Sequence, residues 1–186
     1  MKKVIQDTKL HDHTCLMFND QIEFLHCLVP FLREGLKKNE KCLIVADDIS
    51  RQDIVKRFKL LFRKKDGDLK KADVSNNITV ELFKNVYLND GTFNMEKTGS
   101  YYLSQVKEAI DNGYSGLRVF AELSSSLKYL INHNDFLTWE KKADGFFSHN
   151  KLLAVCSYNK KLFTDKYISK ALKIHPIDID IIGTRL

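Results

Sequence analysis

The sequence predicts an α/β protein: a mostly parallel sheet between two layers of helices, a three-layer αβα arrangement. Three observations carry that prediction. Short, largely apolar runs such as "TCLMF" (14–18), "KCLIVA" (41–46), "LRVFAE" (117–122) and "KLLAVCSY" (151–158) read as strands buried on both faces. Stretches with helical apolar spacing lie between them. The connections are short, and repeated β-α-β alternation of this kind implies parallel strands joined by crossover helices.

The elements follow in order. After "TCLMF" and the turn "ND", residues 20–38 carry Ile22, Leu25, Val29, Leu32 and Leu36 at helical spacing. Pro30 falls inside this helix and is expected to kink it. "KCLIVA" ends in Asp47-Asp48, and "DISRQDIVKRFKLLFRK" then opens with cap-like residues and continues as a basic amphipathic helix. "ITVELF" (78–83) is a weaker strand, and "NDGTF" (89–93) reads as a turn or the start of a helix. "EKTGSYYLSQVKEAIDNG" is a helix closed by Gly113. "NDFLTWEKKADGFF" is helical, and "TDKYISKALKIH" is a helix stopped by Pro176. "IDIDII" (177–182) alternates strictly, which suits an antiparallel or edge strand at the C-terminus.

The 186 residues suit one domain, 1–186, since no Pro/Gly/Ser-rich linker or internal repeat divides them. The apolar and charged fractions, 44% and 29%, exclude a disordered or fibrous chain. No apolar run is long enough to span a bilayer, and "MKKVIQDTKLHDH" lacks the apolar core of a signal peptide, so the expectation is a cytosolic protein with no membrane partner. The net charge of +6 is concentrated in residues 56–71 and 159–173. Both segments have helical apolar spacing, so their lysines read as solvated faces. No helix-turn-helix, zinc finger or RNA-recognition motif is legible, and no specific nucleic-acid partner is expected. The four cysteines, Cys15, Cys27, Cys42 and Cys156, form no CxxC pair and are expected to be buried free thiols.

In such folds ligands sit beyond the C-terminal ends of the strands. Those ends are Phe18-Asn19, Asp47-Asp48, Glu122-Leu123-Ser124 and Ser157-Tyr158, an acidic rim that also bears hydroxyls. Nucleotide-binding relatives of this organisation place a glycine-rich loop and a lysine after the first strand. Here no glycine and no lysine occurs between His11 and Pro30.

Several phrases in fixed order, "DHTCLMF", "VPFLREGLKKNEKCLIVADD", "GYSGLRVFAELSSSL", "CSYNKKLF" and a following "HP", resemble the MEDS domain. This is a sensory domain of methanogens and methylotrophs, and the resemblance runs from about His11 to about Ile182. It implies a ligand-sensing relative of RecA/KaiC-like ATPases, of a family often fused to DNA-binding or kinase modules and proposed to detect hydrocarbon derivatives. It also implies a RecA/KaiC-like topology without the standard phosphate loop. Asp47-Asp48 and Glu122 then stand near the catalytic and metal-supporting acids of that superfamily. This sequence leaves no room for a DNA-binding module, so its output is expected to pass through a partner chain.

The candidate ligand-binding set is Phe18, Asn19, Asp47, Asp48, Glu122, Ser124, Trp139 and Tyr158. Glu122 closes a buried strand ahead of the hydroxyl run "SSS", and a carboxylate there must be hydrated, paired or protonated. The competing reading makes it a helix-cap or loop acid. Arg118 shares its strand face but lies about 13 Å away by strand rise, too far to pair directly. Trp139 lines an apolar pocket or packs on the sheet. Asp178 and Asp180 share a strand face, which an exposed edge explains.

His13 and Cys15 point to one side of the first strand, and Cys156 is expected beside Cys15. These three are candidates for redox or metal chemistry. The plainer reading is a packed histidine and two structural thiols. No nucleophile motif such as GxSxG or HExxH is present. No catalytic residue, cofactor or metal is therefore expected. The leading reading is a non-catalytic, small-molecule sensor with a protein partner and the capacity to form a homo-oligomer. Two alternatives stand beside it: a divergent RecA-like ATPase using Asp48 and Glu122, and a thiol or metal sensor using His13, Cys15 and Cys156.

Overall fold

The computed structural model describes residues 1–47, 52, 54, 56, 74–129 and 131–184. Among these residues the strands, in chain order, are β1 (Lys2–Lys3), β2 (His13–Phe18), β3 (Lys41–Val45), β4 (Ile78–Glu81), β5 (Leu88–Asn89), β6 (Thr92–Phe93), β7 (Leu117–Glu122), β8 (Leu152–Asn159) and β9 (Ile177–Ile179). The helices are α1 (Gln21–Lys37), α2 (Val74–Asn77), α3 (Phe83–Tyr87), α4 (Met95–Asp111), α5 (Ser125–Lys128), α6 (His133–His149) and α7 (Asp165–Ile174). Most of the basic helix expected after Asp48 lies outside the described residues.

Seven strands form one parallel sheet in the order β1-β9-β2-β8-β7-β3-β4. Alternate residues of each central strand enter two separate cores. Leu16, Phe18, Cys42, Ile44, Phe120, Leu153 and Val155 meet α1. Cys15, Leu43, Val45, Val119, Ala154, Cys156 and Tyr158 meet α3, α4, α6 and α7. This double burial is why the central strands read as near-continuous apolar runs.

α1 starts where Asp20, in extended conformation, accepts hydrogen bonds from the Ile22 and Glu23 amides. It runs through Pro30 and buries Phe24, Cys27, Leu28, Phe31 and Leu32. Near its end Gly35 lets the helix press on the sheet: a Cβ there would lie 2.5 Å from Cys42 Sγ and 3.0 Å from Arg118 Cδ. Arg118 is fully buried beneath it. Its Nε donates to Glu40 Oε2 at 2.5 Å, and its other nitrogens reach the Phe31 and Thr8 carbonyls.

The segment 89–93 is a hairpin, not the start of a helix. β5 and β6 pair antiparallel across Asp90-Gly91, whose φ values of 48° and 81° supply the left-handed pair that a two-residue hairpin turn requires. Asn94 then caps α4 through the Lys97 amide, and Gly113, at φ 83°, follows its end. The alternating C-terminal segment is β9, with Ile177 and Ile179 buried. It pairs parallel with β2 on one side and with the two-residue β1 on the other.

Candidate functional site

A cleft of about 560 Å³ opens above the C-terminal ends of β2, β3, β7 and β8. Phe18, Ala46, Glu122 and Asn159 reach it from those four strand ends. Gln21 and Phe24 come from the first turns of α1, and Ser124, Ser125, Leu127 and Lys128 from α5 and the residue before it. Leu162 completes the wall. Most of the exposed lining is apolar, and polar groups enter from the strand ends, α1 and the α5 turn, a mixture found in small-molecule pockets.

Glu122 is tied to its own loop. Its Oε1 accepts from the Ser124 amide at 3.0 Å, and its Oε2 accepts from the Ser125 amide at 3.3 Å and the Ser125 hydroxyl at 3.1 Å. Burial pushes its carboxyl above the usual value, and these bonds draw it part of the way back. The capping role is therefore real. A carboxylate offers about four lone-pair sites, so this one retains acceptor capacity toward the cleft. Ser124 Oγ accepts from the Asn159 amide at 2.8 Å, which locks α5 to the end of β8.

The other expected site residues are distributed as follows. Asn19 stands outside the lining, and both its amides donate to the Glu23 carboxylate. Asp47 is behind the rim. It accepts from the Phe83 amide at 2.9 Å and pairs with Lys128 at 3.6 Å. Asp48 lies outside the described residues. Tyr158 and Trp139 belong to the core on the opposite face of the sheet. The Tyr158 ring packs on Phe163 and Tyr167, and the Trp139 ring faces Gly99 of α4, where an added Cβ would lie 3.8 Å from it.

The cleft is also lined by Gln21, Phe24, Ala46, Ser125, Leu127, Lys128, Asn159 and Leu162, which the sequence had not singled out. Lys128 brings to the rim the cation that the first turn lacks. Its only cue was its place four residues beyond Ser124, in the turn after a strand end.

His13, Cys15 and Cys156 lie on the face away from the cleft. Cys15 and Cys156 are register partners on adjacent strands, as expected. Burial first, and then nearby carboxylates, hold both thiols well above their ordinary value, which makes them poor nucleophiles. His13 Nε2 is 3.4 Å from Cys156 Sγ and 3.5 Å from Glu140 Oε2. Glu140 and His175, both buried beside it, carried no signal in the sequence.

Fold and cleft define a class: a three-layer α/β domain with a ligand-sized opening at the strand C-termini. Residues 12–176 match the family described as MEDS, MEthanogen/methylotroph, DcmR Sensory domain, and the chain belongs to that family. It is also similar to the transcriptional repressor DcmR of Methylorubrum extorquens, at 24% identity over 174 residues. That alignment takes in 91% of this chain and 60% of the relative, so the chain spans less than two thirds of that protein's length. The family's description is that of a sensory domain. Among the described residues, no helix is long and apolar enough to cross a membrane.

Proposed function

We propose that the cleft beside Glu122 is the sensing site, that it takes a small, partly apolar molecule, and that occupancy is read by a regulatory partner. The carrying observation is the cleft itself: its volume, its mostly apolar lining and its position at the ends of parallel strands. Phe18, Phe24, Leu127 and Leu162 provide the apolar walls, while Glu122, Asn159 and Lys128 provide directional polar contacts. Methylated and halogenated small metabolites fit that mixture. α5 is the element a ligand would move, since Glu122 and Asn159 hold it and both face the cleft.

A thermal-shift screen of small methylated, halogenated and thiol-bearing compounds tests this reading on three proteins: wild type, Glu122→Ala and Leu162→Arg. Leu162 is 56% exposed, so the arginine alters the cleft wall without disturbing the core. Loss of a hydrogen bond to a charged group weakens binding by roughly 1.5–3 kcal/mol, about ten- to a hundredfold. A compound that stabilises wild type should therefore lose most of its effect on both variants. A compound that stabilises all three equally binds elsewhere, and the assignment of the cleft fails.

A further inference from the structure

On the sheet face away from the cleft, four buried side chains aim their donor atoms at one point. His13 opens β2, Cys156 lies in β8, Glu140 sits midway along α6, and His175 caps the end of α7. One donor atom from each lies within 4.8 Å of the others. Glu140 Oε2 stands 3.5 Å from His13 Nε2 and 3.2 Å from His175 Nε2, and Cys156 Sγ stands 3.4 Å from His13 Nε2.

The hydrogen-bond pattern leaves this point in need of positive charge. His175 Nδ1 is 2.8 Å from the Ala171 carbonyl. A carbonyl only accepts, so Nδ1 carries the hydrogen. In the neutral ring Nε2 is then a bare lone pair facing the Glu140 carboxylate. His13 has a carboxylate near each ring nitrogen, Asp144 Oδ1 at 3.6 Å from Nδ1 and Glu140 Oε2 at 3.5 Å from Nε2, and its Nδ1 has no hydrogen-bond partner. Glu140 Oε2 and His175 Nε2 have no hydrogen-bond partner despite complete burial. Protonating both rings would place two cations 4.2 Å apart, centroid to centroid.

One divalent cation resolves all of this. Tetrahedral zinc, with bonds of about 2.0–2.3 Å, separates its ligand atoms by roughly 3.3–3.7 Å. Three of the six separations here, 3.2, 3.4 and 3.5 Å, are already close to these values, and the other three lie within 4.8 Å. His175 also shows the support that ligating imidazoles have, its far ring nitrogen held by a backbone carbonyl, and His13 has the Asp144 carboxylate 3.6 Å from its far nitrogen. A dication with one carboxylate and one thiolate is neutral overall, as a buried site requires.

We propose that His13, Glu140, Cys156 and His175 form a closed, four-coordinate site for a divalent transition metal of the zinc type. On binding, the Cys156 thiol gives up its proton to solvent and the sulfur takes the cation. Four protein ligands leave no open position, so the metal braces rather than reacts. It ties α6 and α7 to β2 and β8.

The test uses the full chain, stripped with a chelator and titrated with Co²⁺. Expected are one equivalent bound, the visible bands of tetrahedral cobalt, a thiolate-to-cobalt charge-transfer band, and bleaching of both on addition of Zn²⁺. Cys156→Ser should lose the charge-transfer band. A chain in which Cys15, Cys27 and Cys42 are all serine should keep it, which decides the matter even if Cys156→Ser does not fold. Glu140→Gln should bind at least tenfold more weakly. Wild type that binds no stoichiometric cobalt, or binds it without the thiolate band, overturns the proposal, as does a band that survives in Cys156→Ser.

Discussion

Arg118 is the largest fully buried side chain among the described residues, and Glu40, 4% exposed, is its carboxylate partner. Removing one member of such a pair strands a charge in the interior, at a cost of about 3–5 kcal/mol. Glu40→Ala should lower stability by that order in urea denaturation. A loss below about 1 kcal/mol would mean that water reaches the guanidinium and that the pair is not sealed. Sequence reading placed Arg118 and Glu122 on one strand face and too far apart to pair. It could not name Glu40, because the pairing depends on α1 lying across the sheet. The same limit governed the cleft. Strand period gave Phe18, Glu122 and Ser124, since a strand's end is fixed by its pattern. The period also separates Ser157 from Tyr158, but not which of them faces the open side. Only the positions of α1 and α7 decide that. Glu140 and His175 were invisible for a related reason: they come from two helices whose rotation about their axes the sequence leaves free.

Glycines show how individual elements are constrained. Gly91 has φ +81°, and a Cβ added there would meet nothing within 4 Å, so Gly91→Ala tests backbone conformation alone. It should cost about 1–2 kcal/mol in the same denaturation experiment, the penalty of a left-handed residue with a side chain. Gly35 is the opposite case. In a helix alanine is favoured over glycine by about 1 kcal/mol, yet here its Cβ meets the buried Cys42 sulfur at 2.5 Å. Overpacking should win, so that Gly35→Ala destabilises by about 1–3 kcal/mol. Adding Cys42→Ala should recover part of that loss, and a double-mutant cycle measured by denaturant unfolding reads the coupling. Additive effects would show that the helix simply shifts. The long elements were legible because their apolar periods are long. β1 was not, since two lysines carry no pattern. The β5–β6 hairpin was read only as a turn or a helix start, because Asp-Gly marks the turn but its strands are too short to show alternation.

At the scale of the whole molecule, the sheet is parallel and helix-covered, as in nucleotide-binding folds, while its first helix terminus is already occupied. The amides of Asn19, Ile22 and Glu23 donate to the carboxylates of Glu23 and Asp20. A phosphate would need those donors and would meet two negative charges in their place. Calorimetry with ATP-Mg should accordingly show no micromolar binding. A saturable micromolar isotherm, abolished in Glu122→Gln, would instead support the divergent ATPase reading. The layered α/β architecture was fully legible from alternation. The order of strands was not, because crossover connections can skip neighbours and the apolar runs do not record which.

That order bears on how the protein is made. Among the described residues, β1 and β2 precede the rest of the sheet in the chain, yet they pair with β8 and β9, which follow it. β3, β4 and β7 can assemble before β8 is made, but β2 must wait with both edges bare. Pairings so distant in sequence slow folding, and an unpaired apolar strand is prone to aggregate in the interval. Chaperone demand during translation is thus written into the strand order, and a ribosome stalled before β8 would display β2 as an adhesive edge.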